Sequence, residues 1–327
     1  MNEEMKAVIE AIRNSGRILI TSHENPDGDA LGSTLGLGLG LEKLGKEVVF
    51  YNKDGVPELL TFLPGSERIR TSLEGAGDFD LAFAVDCTGT SRAGDEFEDF
   101  VKAGRCRQVV IIDHHQTNSS SADIHLLDSG SSSTGEIVYL LLKTMSVEID
   151  EAIAKNLYTT IVSDTGSFRY SNTNPVTFRD ASELVERGVD PAEISEALFE
   201  SEPLRKLRLV ALVLPTLSVR EGNRVASVVI DRSMFEKAGA RREDTEGLVN
   251  IPRSIKGVEV AVAFREEAGN GSPFWKISFR SKGDVDVARI AERFGGGGHK
   301  KAAGCSVEGT LEEVQSKVFG CIGEELE

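Results

Sequence analysis

Three short apolar runs in the first third of the chain each lead to a carboxylate or an imidazole, and this pattern limits the fold more than any other feature. Val109-Val110-Ile111-Ile112 runs into Asp113-His114-His115. Ile18-Leu19-Ile20 runs into His23-Glu24-Asn25-Pro26-Asp27-Gly28-Asp29, and Leu81-Ala82-Phe83-Ala84-Val85 runs into Asp86. Continuous apolar runs of this length read as strands buried on both faces, as the strands of parallel sheets are. In open α/β sheets, ligands bind in the crevice at the carboxyl ends of the strands. Three strand ends that deliver His and Asp to one crevice predict a metal centre, with room for more than one ion.

The first half alternates strand and helix patterns. Strand candidates lie at 18–21, 48–51, 81–85, 109–112 and 125–127, and helical stretches at 5–13, 31–44 and 136–145. Such alternation predicts an α/β fold, a mostly parallel sheet with helices on both faces. Leu35-Gly36-Leu37-Gly38-Leu39-Gly40-Leu41 has a period of two, which favours a strand, and its glycines disfavour helix. We read it as helix, because a tight βα turn precedes it and glycine permits close packing. Residues 129–134 read as a polar loop, and Ser133 and Glu136 have the spacing of a capping box.

From 151 to 217 the pattern is mainly helical, with a loop at 164–175. The remainder changes character, with strands at 224–230, 258–264 and 276–280, a hairpin turn at Gly269-Asn270-Gly271, and helices at 285–294 and 311–319. Between those helices, Gly295-Gly296-Gly297-Gly298-His299 reads as a glycine-rich loop. The expected organisation is a catalytic domain at 1–190, a helical linker at 191–217 and a smaller α/β domain at 218–327.

The net charge of −16 argues against tight binding to duplex DNA, which needs many cationic contacts to phosphates. A small phosphorylated ligand stays open, because bound divalent cations reverse the local field. Cys87, Cys106, Cys305 and Cys321 show no C-x-x-C spacing, so neither a thiolate zinc site nor a redox pair is expected. No apolar run is long enough to cross a bilayer, and the N-terminus lacks the order of a signal peptide. A cytoplasmic protein without membrane contact is the expectation.

Taken singly, an Asp after a strand is usually a turn or cap residue. A lone His is usually just hydrogen-bonded. The combination is different: of five histidines, His23, His114, His115 and His299 fall in motif-like contexts. Imidazole and carboxylate ligation without thiolate suits Mn²⁺, with Mg²⁺, Co²⁺ and Zn²⁺ open. Two such ions about 3.5–4 Å apart can activate a shared water and brace both oxygens of an in-line phosphoryl displacement.

A second anion site is predicted near the C-terminus. Four consecutive glycines exceed what a helix C-cap needs, and their amides can approach a phosphate closely. Lys300 and Lys301 follow, and Arg280-Ser281-Lys282 stands at a strand end. Arg280, Ser281, Gly297, Gly298 and His299 are the candidate substrate residues, with Arg265 balanced between that role and a solvated strand-end arginine. Phe168 and Tyr170, just after Asp164, can stack on a base, though buried packing is the default for such rings.

His23-x-Asn25-Pro26-Asp27-x-Asp29, the isolated Asp86, Asp113-His114-His115 and Asp164 resemble the four motifs of the DHH phosphoesterase superfamily. Gly295-Gly296-Gly297-Gly298-His299 with Ala302-Ala303-Gly304 resembles the signature of its C-terminal partner, the DHHA1 domain. The layout is most similar to the nanoRNases, also described as bifunctional oligoribonuclease and 3′-phosphoadenosine-5′-phosphate phosphatases. The resemblance implies that His23 and Asp27 bind one Mn²⁺, that Asp29, His114 and Asp164 bind another, and that Asp86 bridges them. It implies that His115 faces the scissile phosphate, with Asp113 orienting it, and that the second domain grips the far end of a short nucleotide chain.

The implied reaction is hydrolysis of short RNA to nucleoside 5′-monophosphates, and of 3′-phosphoadenosine-5′-phosphate to AMP. A cyclic or linear dinucleotide phosphodiesterase is the nearest rival. A single-strand DNA exonuclease of the RecJ kind would carry an added nucleic-acid-binding domain, and a family II pyrophosphatase has a basic run in place of the glycines. A non-catalytic nucleotide-binding regulator would have little need of the intact ligand set. A homodimer is compatible with the sequence, with Asn250-Ile251-Pro252-Arg253 as a candidate interface segment.

Overall fold

A computed structural model describes residues 2–115, 122–267 and 273–326, with His299 described in its backbone alone. Two compact units are present, Met1–Ser201 and Glu202–Glu327. The first contains α1 (Glu3–Arg13), β1 (Arg17–Ser22), α2 (Gly28–Lys43), β2 (Glu47–Tyr51), β3 (Leu81–Val85), α3 (Asp95–Lys102), β4 (Val109–Asp113), β5 (Ile124–Leu127), α4 (Thr134–Thr144), α5 (Glu151–Asp164), α6 (Pro175–Val185) and α7 (Pro191–Ser195).

Its five strands form one sheet in the order β2-β1-β3-β4-β5, every pair parallel. Side chains alternate across it. Ile18, Ile20, Phe83, Val85, Val110 and Ile112 enter one core with residues of α1, α2, α4 and α5. Leu19, Ala82, Ala84, Val109 and Ile111 enter a second core with Phe97 and Phe100 of α3. Both faces are covered, which is why these strands read as unbroken apolar runs. The parallel arrangement brings the carboxyl ends of β1, β3 and β4 to one edge. The strand order reverses between β1 and β3, the position where such sheets open a crevice.

The alternating glycine segment is helical, within α2. A Cβ on Gly36 would lie 2.6 Å from Leu157 of α5, one on Gly40 2.6 Å from Leu142 of α4, and one on Gly38 2.0 Å from the Phe50 ring of β2. Glycine at every second position thus lets one helix press against three elements at once. Ser133 caps α4 as expected, accepting from the Glu136 amide. The box does not close, however, because the Glu136 carboxylate accepts instead from the Ser132 amide at 2.7 Å.

The second unit contains α8 (Leu204–Val213), β6 (Ser218–Arg220), β7 (Val225–Ile230), α9 (Arg232–Ala238), α10 (Asn250–Arg253), β8 (Val260–Glu267), β9 (Phe274–Ser281), α11 (Val287–Glu292), β10 (Gly297–His299), β11 (Ala302–Glu308) and α12 (Leu311–Leu326). Its mixed sheet runs β10-β11-β9-β8-β7-β6, with β7 and β8 parallel and the other pairs antiparallel. Ile277 and Phe279 pack under α11 and α12, while Ala261 and Ala263 face Leu209 and Val213 of α8.

The glycine-rich segment departs from its reading as a loop. Gly297–His299 is a short edge strand paired with β11. A Cβ on Gly296 would lie 2.1 Å from the Gly304 carbonyl oxygen, and one on Gly298 2.5 Å from that of Ala302. These two glycines allow close backbone approach within a hairpin. The predicted turn at Gly269-Asn270-Gly271 lies outside the described residues, between the antiparallel β8 and β9. Among the described residues no helix is long and apolar enough to cross a membrane.

Candidate metal centre

The residues at the strand ends converge. Asp29 enters from the first turn of α2, Asp86 from the end of β3, His114 from the end of β4, and Asp164 from the last turn of α5. His114 Nε2 lies 3.7 Å from Asp29 Oδ2, 3.8 Å from Asp164 Oδ2 and 3.8 Å from Asp86 Oδ1. His23 Nε2 lies 3.4 Å from Asp86 Oδ2 and 4.0 Å from Asp27 Oδ1. The donors therefore form three overlapping triads, His23–Asp27–Asp86, Asp29–His114–Asp164 and, between them, Asp86–His114–His115. Asp86 turns one oxygen toward each of the first two.

Local structure aims each group. His23 Nδ1 donates to the Glu24 carbonyl at 2.8 Å, which leaves Nε2 facing the carboxylates. Asn52, buried just beyond β2, holds this loop by donating to the His23 carbonyl at 3.0 Å. Asp27 is also the cap of α2, its Oδ1 accepting from the amides of Asp29 and Ala30 at 3.0 Å. Asp29 in turn accepts from the first two amides of α4, Thr134 at 2.8 Å and Gly135 at 3.1 Å, so that helix end fixes the carboxylate. Thr134 Oγ1 donates to Asp86 Oδ1 at 3.1 Å. Asp86 has φ +53°, left-handed backbone uncommon for a non-glycine residue and concentrated at functional sites. Asp113 is fully buried, and His115 Nδ1 donates to its Oδ1 at 2.6 Å, which sets the ring.

Charge is poorly balanced in this pocket. Burial, reinforced by the charge of Asp86, pushes the Asp29 carboxyl well above its ordinary range. Burial also raises Asp164, to about 7, against the opposing charge of His114. Burial opposes the charge on Asp86 too, but the His23 hydrogen bond and the neighbouring imidazoles hold it below the ordinary range. For His23, burial disfavours the cation, yet the Asp86 bond and the Asp27 charge outweigh it and push it up to about 10. His114 rises to about 9, burial being outweighed by Asp29, Asp164 and Asp86. Carboxylates that hold onto protons, beside imidazoles with Nε2 turned inward, form a donor set suited to divalent cations. No cysteine belongs to these groups among the described residues.

Residues 17–162 match the DHH family, N-terminal domain, and residues 222–324 match the DHHA1 domain. The bifunctional oligoribonuclease and PAP phosphatase NrnA of Thermus thermophilus is 35% identical, over 99% of this chain and 95% of its own length. The chain belongs to the DHH family. The protein of the same name from Bacillus subtilis is 30% identical over 89% of each chain. The crystal structure of an exopolyphosphatase-related protein from Bacteroides fragilis superposes with a TM-score of 0.90 at 30% identity, covering 98% of this chain and 96% of that one. RecJ from Thermus thermophilus in complex with Mn²⁺, 17% identical with a TM-score of 0.53, covers 97% of this chain and 53% of its own, and shares the fold.

The candidate anion residues of this DHH-family chain lie on the second sheet. Arg280 of β9 stands opposite Ala302 of β11, which stands opposite His299 of β10, so the three occupy one cross-strand row. The His299 side chain lies outside the described residues. Gly297 begins the edge strand, and Gly298 is exposed at φ +141°. Ser281 is buried, and its hydroxyl serves the carbonyls of Val285 at 2.8 Å and Lys300 at 3.2 Å. Arg265 holds Glu267 at 2.5 Å and the Thr245 hydroxyl at 2.6 Å. Phe168 stacks on Phe178 of α6 with ring centroids 5.2 Å apart.

Sequence reasoning missed Thr134, Asn52 and Asn172, each of which holds the motif residues or their loops. Thr134 is marked only by the match between an orphan helix-end amide and the remote Asp29 carboxylate, while Asn52 and Asn172 act through side-chain amides of a residue type that suits any turn.

Proposed function

We propose that this chain is a metal-dependent phosphoesterase that hydrolyses short RNA oligonucleotides to nucleoside 5′-monophosphates and converts 3′-phosphoadenosine-5′-phosphate to AMP. One observation carries the reading: two triads of imidazole and carboxylate donors, joined by a third, Asp86–His114–His115, in a chain that aligns end to end with oligoribonuclease and PAP phosphatase relatives. His23 and Asp27 would hold one cation, Asp29, His114 and Asp164 a second, with Asp86 between them. Mn²⁺ suits the donors best. Such cations supply Lewis-acid charge and make water acidic at neutral pH. His115, braced by Asp113, is assigned to the scissile phosphate as a hydrogen-bond or proton donor. Arg280, Gly297, Gly298 and His299 are assigned to substrate phosphate, with Ser281 and Arg265 supporting that surface through their bonds to the backbone and to Glu267. The net charge of −16 fits small ligands rather than duplex DNA.

A panel of dinucleotides, longer oligoribonucleotides, cyclic dinucleotides and 3′-phosphoadenosine-5′-phosphate, compared by kcat/KM with Mn²⁺ at one pH and salt, tests the assignment. Preference for short linear RNA and 3′-phosphoadenosine-5′-phosphate is expected. Preference for a cyclic dinucleotide would instead favour the activity named for a relative in Geobacillus thermodenitrificans, cyclic-di-AMP phosphodiesterase GdpP, which is 28% identical and of which this chain covers 49%.

Replacing His299 by Ala is expected to raise KM for short oligonucleotides about tenfold, a loss typical of one charge-assisted contact, and to leave a minimal chromogenic phosphodiester nearly unchanged. Equal effects on both substrates would remove His299 from substrate binding.

The pH dependence has a definite sign. His23 and His114, raised to about 10 and 9, stabilise the metal-free fold fully below about 6.5, their unfolded value, and lose that contribution as pH rises through 9–10. Asp164, raised to about 7, costs the metal-free fold stability progressively from its ordinary value of 3.8 up to 7. Divalent cations compete with these protons. The increase in unfolding temperature produced by Mn²⁺ is therefore expected to grow from pH 6 to pH 9, with proton release on binding. Calorimetry in buffers of different ionisation enthalpy measures both, and binding without proton release at pH 7 would contradict the assigned ligands.

A further inference from the structure

Asp164 is the least enclosed member of its triad. Its side chain is 31% exposed, against 8% for His114 and 1% for Asp29. It is also the last residue of α5, where the helix alone restrains a side chain least. Asp29 is held by the amides of α4 and Asp86 by Thr134, so Asp164 needs an anchor of its own.

The chain supplies one by reversing direction. Gly166, Ser167 and Phe168 all take positive φ, at +56°, +61° and +63°, and the amides of Arg169 and Tyr170 both return to the Thr165 carbonyl at 3.0 Å. This left-handed turn brings Asn172 back to the end of α5. Its Nδ2 lies 3.0 Å from Asp164 Oδ2, 3.1 Å from the Asp164 carbonyl and 2.8 Å from the Ser132 carbonyl. Three oxygens around one atom decide the orientation of the amide, since Oδ1 in that place would meet only acceptors. Oδ1 is left buried without a hydrogen-bond partner among the described residues. A buried orphan acceptor is a cost that native folds seldom accept without a role for it.

We propose that Asn172 is a positioning residue that aims Asp164 at the cation shared with Asp29 and His114. Through the Ser132 carbonyl it also ties Asp164 to the loop leading into α4, whose first amides hold Asp29. One amide thereby sets the spacing of two carboxylates that come from different helices. Its effect is exerted on a ligand and not on substrate. The inference rests on the metal-centre reading above.

The test is a double-mutant cycle in Mn²⁺ affinity, measured by calorimetry on the full chain: wild type, Asn172→Ala, Asp164→Asn and the double variant. Asn172→Ala is expected to weaken one Mn²⁺ site 10–100-fold, the range for lost outer-shell support. In the Asp164→Asn background the same substitution should cause no further loss, because the residue it acts through is already gone. Asn172→Leu, of similar size without the donor, serves if the alanine variant does not fold, and the same loss is expected. Wild-type-like affinity in the variant, or losses that simply multiply in the double variant, would overturn the positioning role while leaving the metal centre standing. Failure of the wild type to bind Mn²⁺ would overturn both.

Discussion

Asp86→Asn is expected to lower kcat/KM for Mn²⁺-dependent hydrolysis by about 10³-fold or more, while the chain stays folded. The size follows from the place of the residue. Removing a single preorganised group that stabilises developing charge costs about 10²–10³ in other enzymes, and Asp86 serves both donor triads. Its Oδ2 lies 3.4 Å from His23 and its Oδ1 3.8 Å from His114, so one substitution weakens both sides. Asn is the cleaner replacement, because residue 86 has φ +53°, which Asn tolerates better than Ala. The bond from Thr134 Oγ1 can be kept by the amide oxygen. Asp86→Ala should lose as much activity, with added backbone strain. Steady-state kinetics with far-UV circular dichroism checks both, and full activity in the Asn variant would remove Asp86 from the mechanism.

Gly32→Ala is expected to destabilise the metal-free protein by about 2 kcal/mol, the usual cost of overpacking a tight core. Helix propensity alone predicts the opposite sign, a gain of about 1 kcal/mol for Ala over Gly. Packing decides. A Cβ at residue 32 would lie 2.6 Å from the Asn156 carbonyl oxygen and 2.6 Å from Thr160 Cγ2, and the first of these is backbone that cannot swing away. Gly28 and Gly36 make similar approaches to Ser163 and Leu157. Because α2 carries Asp29 and α5 carries Asp164, forcing the helices apart should also weaken Mn²⁺ binding. Urea unfolding measures the first effect and calorimetry the second. A variant more stable than wild type would show that the α2–α5 contact is loose.

The parts of the molecule that were legible share one cause. Strands buried on both faces must be apolar throughout, so β1, β3 and β4 were visible as runs, and the polar residues ending them stood out. The helical reading of the glycine-alternating segment held because a helix squeezed between two helices and a strand needs small residues on several sides. The hairpin of β10 and β11 was hidden for the converse reason. Gly, Ala and Ser allow close backbone approach there, and they carry none of the β-branched signature of strands. Ser281 shows the limit of reading a site from residue type: its hydroxyl serves two backbone carbonyls. Thr134 lies far in sequence from the carboxylates it holds, Asn172 only one left-handed turn beyond Asp164, and nothing in their neighbourhoods distinguishes them from ordinary turn and cap residues.

His23, Asp27, Asp29, Asp86, His114 and Asp164 are expected to cage two divalent cations. Anomalous diffraction from crystals grown with Mn²⁺ tests it most directly. Two peaks are expected within the cluster, about 3.5–4 Å apart, with Asp86 touching both. A single peak, or ions bound by other residues, would contradict it.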